Sequence, residues 1–279
     1  MSNLKQIIDC HQHFWRLNRG DYDWLNAGLG KLYKDYEPED LEPILEKANI
    51  KKTILIQAAP TNEETKFMLS LADKHPFIAG VIGWVDLESA FASKEITLLS
   101  KHSKFKGVRP MIQNIRDTNW IAKPVLSPAI NTLITNGLRF EALVLTQHLD
   151  SLISMIERNP KLPVAINHAA KPPTALNELS TWKKKIKYLA NKSNTYCKLS
   201  GLISEDRDQV NIREIRLIFE HLLDCFGPDR IMWGSDWPVV RLRAEYSDWL
   251  SITQQLLNDL PSSIQNKIMN DNAKNFYNI

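Results

Sequence analysis

The chain has 279 residues, 43% of them hydrophobic and 24% charged, a composition that supports one large single-core domain and excludes a disordered chain. The formal net charge is only +3, and the 35 basic residues cluster only at Lys183-Lys184-Lys185, which reads as the solvated face of a helix. Neither a nucleic acid nor an anionic membrane is therefore expected as a partner. Cys10, Cys197 and Cys225 are widely spaced and form no CxxC pattern, so a disulfide framework or zinc knuckle is not expected. The residues up to Gln6 lack the roughly seven apolar residues of a secretory leader, and no run reaches transmembrane length; the expected location is cytoplasmic.

Along the chain, β-branched and apolar runs alternate with amphipathic segments in eight pairs. Strands are expected near 6–12, 53–58, 78–85, 105–111, 138–145, 163–168, 195–200 and 231–236. Between them, Thr61 and Glu64 form a capping-box pattern ahead of Phe67 and Leu71, and Ile130, Leu133 and Ile134 run up to a helix stop at Gly137. Helical spacing recurs at Leu149, Leu152, Ile153 and Ile156, and at Ile215, Ile218, Phe219 and Leu222 ahead of Gly227. Regular β–α alternation without Rossmann glycines, in eight units over this length, predicts a single-domain (β/α)8 TIM barrel of the α/β class. The segment from Phe14 to Tyr36 is too long for a simple connection and predicts a lid or binding loop rich in aromatics after strand one.

The expected strand ends carry the polar residues: His11 and His13, Gln57, Arg109, His168, Lys198 or Ser200, and Asp236. Active sites of such barrels sit at that end of the strands. Because side chains alternate along a strand, His11 and His13 point the same way and can meet one metal ion or one carbonyl. Three imidazoles and a carboxylate fit either one divalent ion, zinc first, or a metal-free acid–base set.

Ordered blocks link these residues: Asp9-Cys10-His11-Gln12-His13-Phe14-Trp15, Tyr22-Asp23-Trp24-Leu25, Gln57-Ala58-Ala59-Pro60-Thr61, Gly83-Trp84-Val85-Asp86-Leu87, Gly107-Val108-Arg109, His168-Ala169-Ala170-Lys171-Pro172, Cys197-Lys198-Leu199-Ser200-Gly201-Leu202 and Gly234-Ser235-Asp236-Trp237-Pro238. Over nearly its whole length the chain resembles the amidohydrolase-2 group of TIM-barrel hydrolases, in particular the sugar-lactonase branch that includes L-fuconolactonase and L-rhamnonolactonase. The resemblance implies hydrolysis of the ring ester of a small aldonolactone, in some relatives without a tightly bound metal. Two departures stand out. Pro110 and Met111 follow Arg109 where the branch leads one to expect a His and a variable residue, which alters one expected substrate contact. Strands four and five offer Arg109 and Glu141 in place of the bridging residue and histidine of binuclear relatives, so a two-metal site is not expected.

Lactone hydrolysis needs an activated water, a polarised carbonyl and a proton for the departing alkoxide. Asp236 is the candidate base, its pKa raised between Trp233 and Trp237 unless a neighbouring imidazole or metal lowers it. His11, His13 and His168 either bind one metal with Asp236 or donate to the carbonyl, and Arg109 clamps the oxyanion or a substrate group. Trp15, Trp24, Gln57, Arg109 and Trp237 are the candidate substrate contacts. Plainer readings stand beside these: Asp236 as a helix cap, Arg109 in a structural ion pair, Gln57 and Lys198 tying loops together, the loop aromatics packing onto the rim, and Lys171 as a surface loop residue. Alternatives of function are a metal-dependent amidase or decarboxylase of the same superfamily and a silent ligand-binding barrel. A homodimer is compatible with the sequence.

Overall fold

Eight parallel strands form one sheet in the order in which the chain makes them: β1 (Ile7–Gln12), β2 (Ile50–Ile56), β3 (Ile78–Gly83), β4 (Phe105–Val108), β5 (Arg139–Ala142), β6 (Val164–Ile166), β7 (Thr195–Leu199) and β8 (Ile231–Trp233). The computed structural model describes residues 6–174, 176–192, 194–204 and 211–279; the leader reading draws on residues 1–5, which lie outside them. Beyond β8 the sheet curls back on β1 through a parallel bridge between Gln12 and Trp237, with Asp236 N–H donating to the His11 carbonyl at 2.8 Å and His13 N–H to the Trp237 carbonyl at 2.7 Å. A Cβ on Gly234 would sit 2.6 Å from the His11 Cβ, so only glycine permits this approach. The expected TIM barrel is the observed fold.

A helix follows each strand: α1 (Pro38–Ala48), α2 (Asn62–Lys74), α3 (Ala92–Leu99), α4 (Ser127–Thr135), α5 (Leu149–Arg158), α6 (Leu176–Ala190), α7 (Ile212–Phe226) and α8 (Tyr246–Leu257). The periodic residues do what their spacing requires. In α7, Ile215, Ile218, Phe219 and Leu222 are buried, Asn211 caps the N-terminus through the Arg213 and Glu214 amides, and Gly227 ends the helix at φ 65°. Lys183 and Lys184 are exposed on α6. Among the described residues no helix is long and apolar enough to cross a membrane, and the three cysteines are free.

Two local expectations are corrected. The capping box of α2 is half made: the Thr61 hydroxyl accepts the Glu64 amide at 3.1 Å, but the Glu64 carboxylate turns inward to the Ala58 amide (3.0 Å) and the Tyr22 hydroxyl (2.6 Å). Burial pushes that carboxyl up to about 7. The strands also stop one to three residues short of most expected ends, β4 at Val108 and β8 at Trp233, because the chain leaves the ladder to form the mouth.

The interior is layered. Ile8, Cys10, Ile54, Ile82 and Met232 pack its lower part, which Ala273, Phe276 and Tyr277 close from below. These last three belong to a C-terminal helical run, α9 (Ser262–Asn266), a π turn (Lys267–Asp271) and α10 (Asn272–Tyr277), that sequence periodicity did not indicate. Above that layer lies a buried ion pair, Lys198 with Glu141 at 2.7 Å. The mouth carries the histidines.

Candidate active site

Asp9 sets the geometry of the mouth. Its Oδ1 accepts the amides of His11 (3.1 Å) and Ser235 (2.8 Å) and its Oδ2 the Tyr246 hydroxyl (3.0 Å), tying the end of β1 to the turn after β8. The β1–β2 register shifts between Asp9 and Gln12, a bulge that re-aims the side chains at the strand end. Both imidazoles then reach one carboxylate oxygen: Asp236 Oδ1 lies 3.6 Å from His11 Nε2 and 3.4 Å from His13 Nε2. Asp236 itself sits at φ 59°.

His168 arrives differently from the strand-end placement expected of it. β6 ends at Ile166, and His168, Ala169, Ala170 and Lys171 all have φ between 49° and 58°. Four consecutive non-glycine residues in the left-handed region cost about 1–2 kcal/mol each, and such strain gathers at functional sites. The turn carries His168 Nε2 to 3.8 Å from Asp236 Oδ1, while its Nδ1 meets the Ser200 hydroxyl at 2.9 Å. Gly201 makes room for it: at φ 66°, a Cβ there would lie 2.4 Å from His168 Nδ1. Gly201→Ala is expected to displace His168, lowering kcat/KM roughly tenfold or more and costing about 1–3 kcal/mol of stability. Steady-state kinetics with thermal unfolding checks this; an unchanged rate contradicts the placement.

The electrostatics differ from those expected from burial alone. Burial pushes the Asp236 carboxyl up, but at the acid pH where it titrates the protonated His168 and His13, with the Ser204 hydroxyl donating to Oδ2 at 3.0 Å, outweigh it and hold the group at about 2. Burial lowers His13, and lowers His168 to about 3 against the pull of Asp236; Lys198 and the other imidazoles add to burial in pushing His11 well down. Three neutral imidazoles thus surround one carboxylate. His13 Nδ1 donates to the Ile56 carbonyl at 2.8 Å, so its Nε2 lone pair faces the carboxylate, and two acceptors so close call for a shared proton donor or a cation. His11, His13 and Asp236 each offer one ligand atom, all within 4.8 Å of one another, a donor set that fits one divalent ion. His168 lies beside that trio and outside it.

Arg109 is buried with Nη1 3.3 Å from His11 Nε2 and 3.4 Å from Asn167 Oδ1. Burial lowers its pKa to about 10, which leaves it charged. It clasps Gln57 reciprocally: the guanidinium donates to the Gln57 carbonyl and Gln57 Nε2 to the Arg109 carbonyl at 2.6 Å. Gln57 is fully buried in that clasp and does not line the cavity. Lys198 Nζ donates to both Glu141 oxygens and to the Cys10 carbonyl (2.8 Å), and lies 3.3 Å from His11 Nδ1.

Above these groups opens a cavity of about 530 Å3. His13, His168 and Asp236 form its polar floor, Arg109, Lys171 and Arg243 give it three cationic side chains, and Leu29, Leu143, Val239 and Leu242 supply apolar wall. Of the three candidate tryptophans only Trp24 reaches it, its indole N–H held by the Ala58 carbonyl at 2.8 Å. Trp15 is fully buried with its N–H on the Lys34 carbonyl, and Trp237 packs edge-on against Phe14 and Tyr36. Lys171, half-buried in the loop after β6, lines the cavity as well. Asp9, Ser204 and Arg243 were not singled out from the sequence; for Asp9 the signal was there, a carboxylate inside an apolar strand.

The model of the amidohydrolase family matches residues 8–279, and the chain belongs to this family. Within it, the chain is 39% identical over 276 residues to an L-fucono-1,5-lactonase of Burkholderia ambifaria, covering 98% of this chain and 95% of that one. A second L-fucono-1,5-lactonase, from Burkholderia multivorans, is 32% identical over 89% of this chain and 87% of its own. Among solved structures, an amidohydrolase of Burkholderia multivorans with bound zinc superposes with a TM-score of 0.93 at 30% identity, covering 98% of this chain and 99% of that one.

Proposed function

We propose that the chain hydrolyses the ring ester of a small sugar-acid lactone, a deoxy-aldonolactone such as L-fucono-1,5-lactone. The observation that carries the reading is Asp236 Oδ1 within 3.4–3.8 Å of three imidazoles on the floor of the cavity. Two relatives named for L-fucono-1,5-lactone support the substrate class. A water that donates one hydrogen to Asp236 Oδ1 and the other to His13 Nε2 presents its lone pair to the lactone carbonyl. As Asp236 takes the proton, the oxygen adds to the carbonyl carbon. Arg109 and a neutral His168 holding its proton on Nε2 stabilise the charge that builds on the carbonyl oxygen. Collapse expels the ring oxygen, which recovers the proton from Asp236; the aldonic acid so formed releases its own proton to solvent, and the aldonate is left among three cationic side chains.

His11, His13 and Asp236 are the residues that would hold one divalent ion, zinc first, which when bound supplies Lewis acidity. Zinc at about 100 times its dissociation constant is expected to stabilise the fold by about 2.7 kcal/mol, roughly 5 °C at this size, with chelation reversing the shift. An unchanged midpoint in both directions removes the ion from the account.

The test of the reaction is proton release from freshly prepared L- and D-configured deoxy-aldonolactones, with spontaneous hydrolysis subtracted. Turnover of L-fucono-1,5-lactone above background is the expected result; turnover of none of them overturns the reading. The pH profile follows from Asp236. Its pKa is depressed, so the active carboxylate is present above about 2 and lost only as pH falls through that value. The catalysed rate is expected to stay level between about pH 5 and 8 while the background climbs; a rate that falls off on the acid side near pH 6 contradicts a site in which Asp236 is ionised and His13 neutral.

A further inference from the structure

A second cleft of about 340 Å3 opens beside the catalytic cavity and shares Trp24, Met111 and Asn114 with it. The turns after β3 and β4 and the aromatic loop build it, so it too lies at the mouth of the barrel. Its lining differs in kind from that of its neighbour. Where the cavity has Arg109, Lys171 and Arg243, the cleft has Asp23, Asp86 and Glu88, and three tryptophans, Trp84 and Trp120 with the shared Trp24, stand in a wall otherwise mostly of aliphatic and proline residues. Trp24 and Trp84 are half-buried, and Trp120 is buried behind them.

Aromatic rings edged by carboxylates suit a neutral ligand with an apolar face and hydroxyl donors, which is the chemistry of a pyranose ring. An anion is disfavoured by Asp23 and Asp86, Glu88 facing Lys123 at 3.9 Å, so the aldonate belongs in the cationic cavity and not here. Size points the same way. A monocyclic deoxy-lactone has about a dozen heavy atoms, whereas cavities of roughly 300–1,000 Å3 hold drug-sized ligands, and here two adjoin. The mechanism uses none of Asp23, Trp84, Asp86, Glu88 or Trp120.

We propose that this cleft is a sugar-binding subsite that holds a glycosyl residue attached to the lactone, so that the preferred substrates are lactones of glycosylated aldonic acids. The proposal rests on the lactonase reading and extends it to a second ring. Asp86 is exposed, and its Oδ1 accepts the Glu88 amide at 3.1 Å, a bond that Asp86→Asn can keep. Trp84 is held by its backbone, the amide on the Thr65 hydroxyl at 2.8 Å, so Trp84→Ala removes the indole and keeps the anchor.

The test compares L-fucono-1,5-lactone with its derivatives bearing a β-D-galactosyl residue on O2, O3 or O4 in turn. At least one derivative is expected to show a KM about tenfold or more below that of the parent. Trp84→Ala and Asp86→Asn should each remove that advantage while leaving kcat/KM for the parent within about twofold. A gain for no derivative, or a gain that survives both substitutions, overturns the proposal. Tryptophan fluorescence titrated with methyl β-D-galactopyranoside and with lactose gives a readout that needs no turnover. Saturable quenching that persists in Asp236→Asn and is lost in Trp84→Ala supports the subsite even if no lactone is hydrolysed; absence of saturable quenching by either sugar counts against it.

Discussion

Asp236→Asn is expected to lower kcat for L-fucono-1,5-lactone by roughly 10³-fold or more while the protein stays folded, the upper part of the range for removal of a positioned general base. The amide keeps an oxygen for the Ser204 hydroxyl and loses the proton acceptor that faces His11, His13 and His168. The fall belongs in kcat more than in KM, because the interaction removed is made while the water is being deprotonated. A helix-capping role would show the reverse, a lower midpoint of unfolding with much of the rate retained. The structure gives that role no support: the Val240 amide at the start of the following turn bonds the Asp236 backbone carbonyl, not its side chain.

Lys198→Met is expected to destabilise the fold by about 3–5 kcal/mol, the cost of leaving one partner of a buried ion pair without the other. Lys198 and Glu141 are both fully buried, and Glu141 also accepts from the Tyr277 hydroxyl at 2.5 Å and from Asn167 Nδ2 at 2.9 Å. The pair therefore joins the C-terminal plug below to the catalytic layer above, through Asn167 to Arg109 on one side and through Lys198 to His11 on the other. Adding Glu141→Leu to Lys198→Met should recover much of the stability, since the stranded carboxylate is then gone. Urea unfolding of both single variants and the double variant checks the coupling; a double variant that loses the sum of the two single losses contradicts it.

That pair shows where reading the sequence stops. Glu141 and Lys198 lie on strands separated by 57 positions, and a polar residue in an apolar run says only that something must satisfy it. Which strand supplies the partner depends on barrel closure and stagger, which no local pattern encodes. The same limit governs His168 and Asp236. Their types and order marked them as site residues, but the left-handed backbone that aims them is invisible to periodicity, and for that reason the expected strands ran on into the mouth.

The His11-Gln12-His13 block and Asp236 were legible because strand order and the rule of the C-terminal mouth bring first and last strands together without further information. The aromatic loop was legible as a loop and not in its details. Trp15, Trp24 and Trp237 look alike in sequence, yet only Trp24 reaches the cavity; the other two spend their area anchoring the loop on the rim. Glu64 stands at a spacing from Thr61 that fits a capping box. Its actual partner, Tyr22, comes from the loop, 42 positions earlier.

The most direct test of the account is hydrolysis of L-fucono-1,5-lactone in heavy-oxygen water, with the rate and the position of the label read together by mass spectrometry. The account predicts aldonate formed well above the spontaneous rate, with one labelled oxygen in its carboxyl group and none at the released hydroxyl. Aldonate appearing only at the spontaneous rate, or label on the hydroxyl carbon, would contradict it.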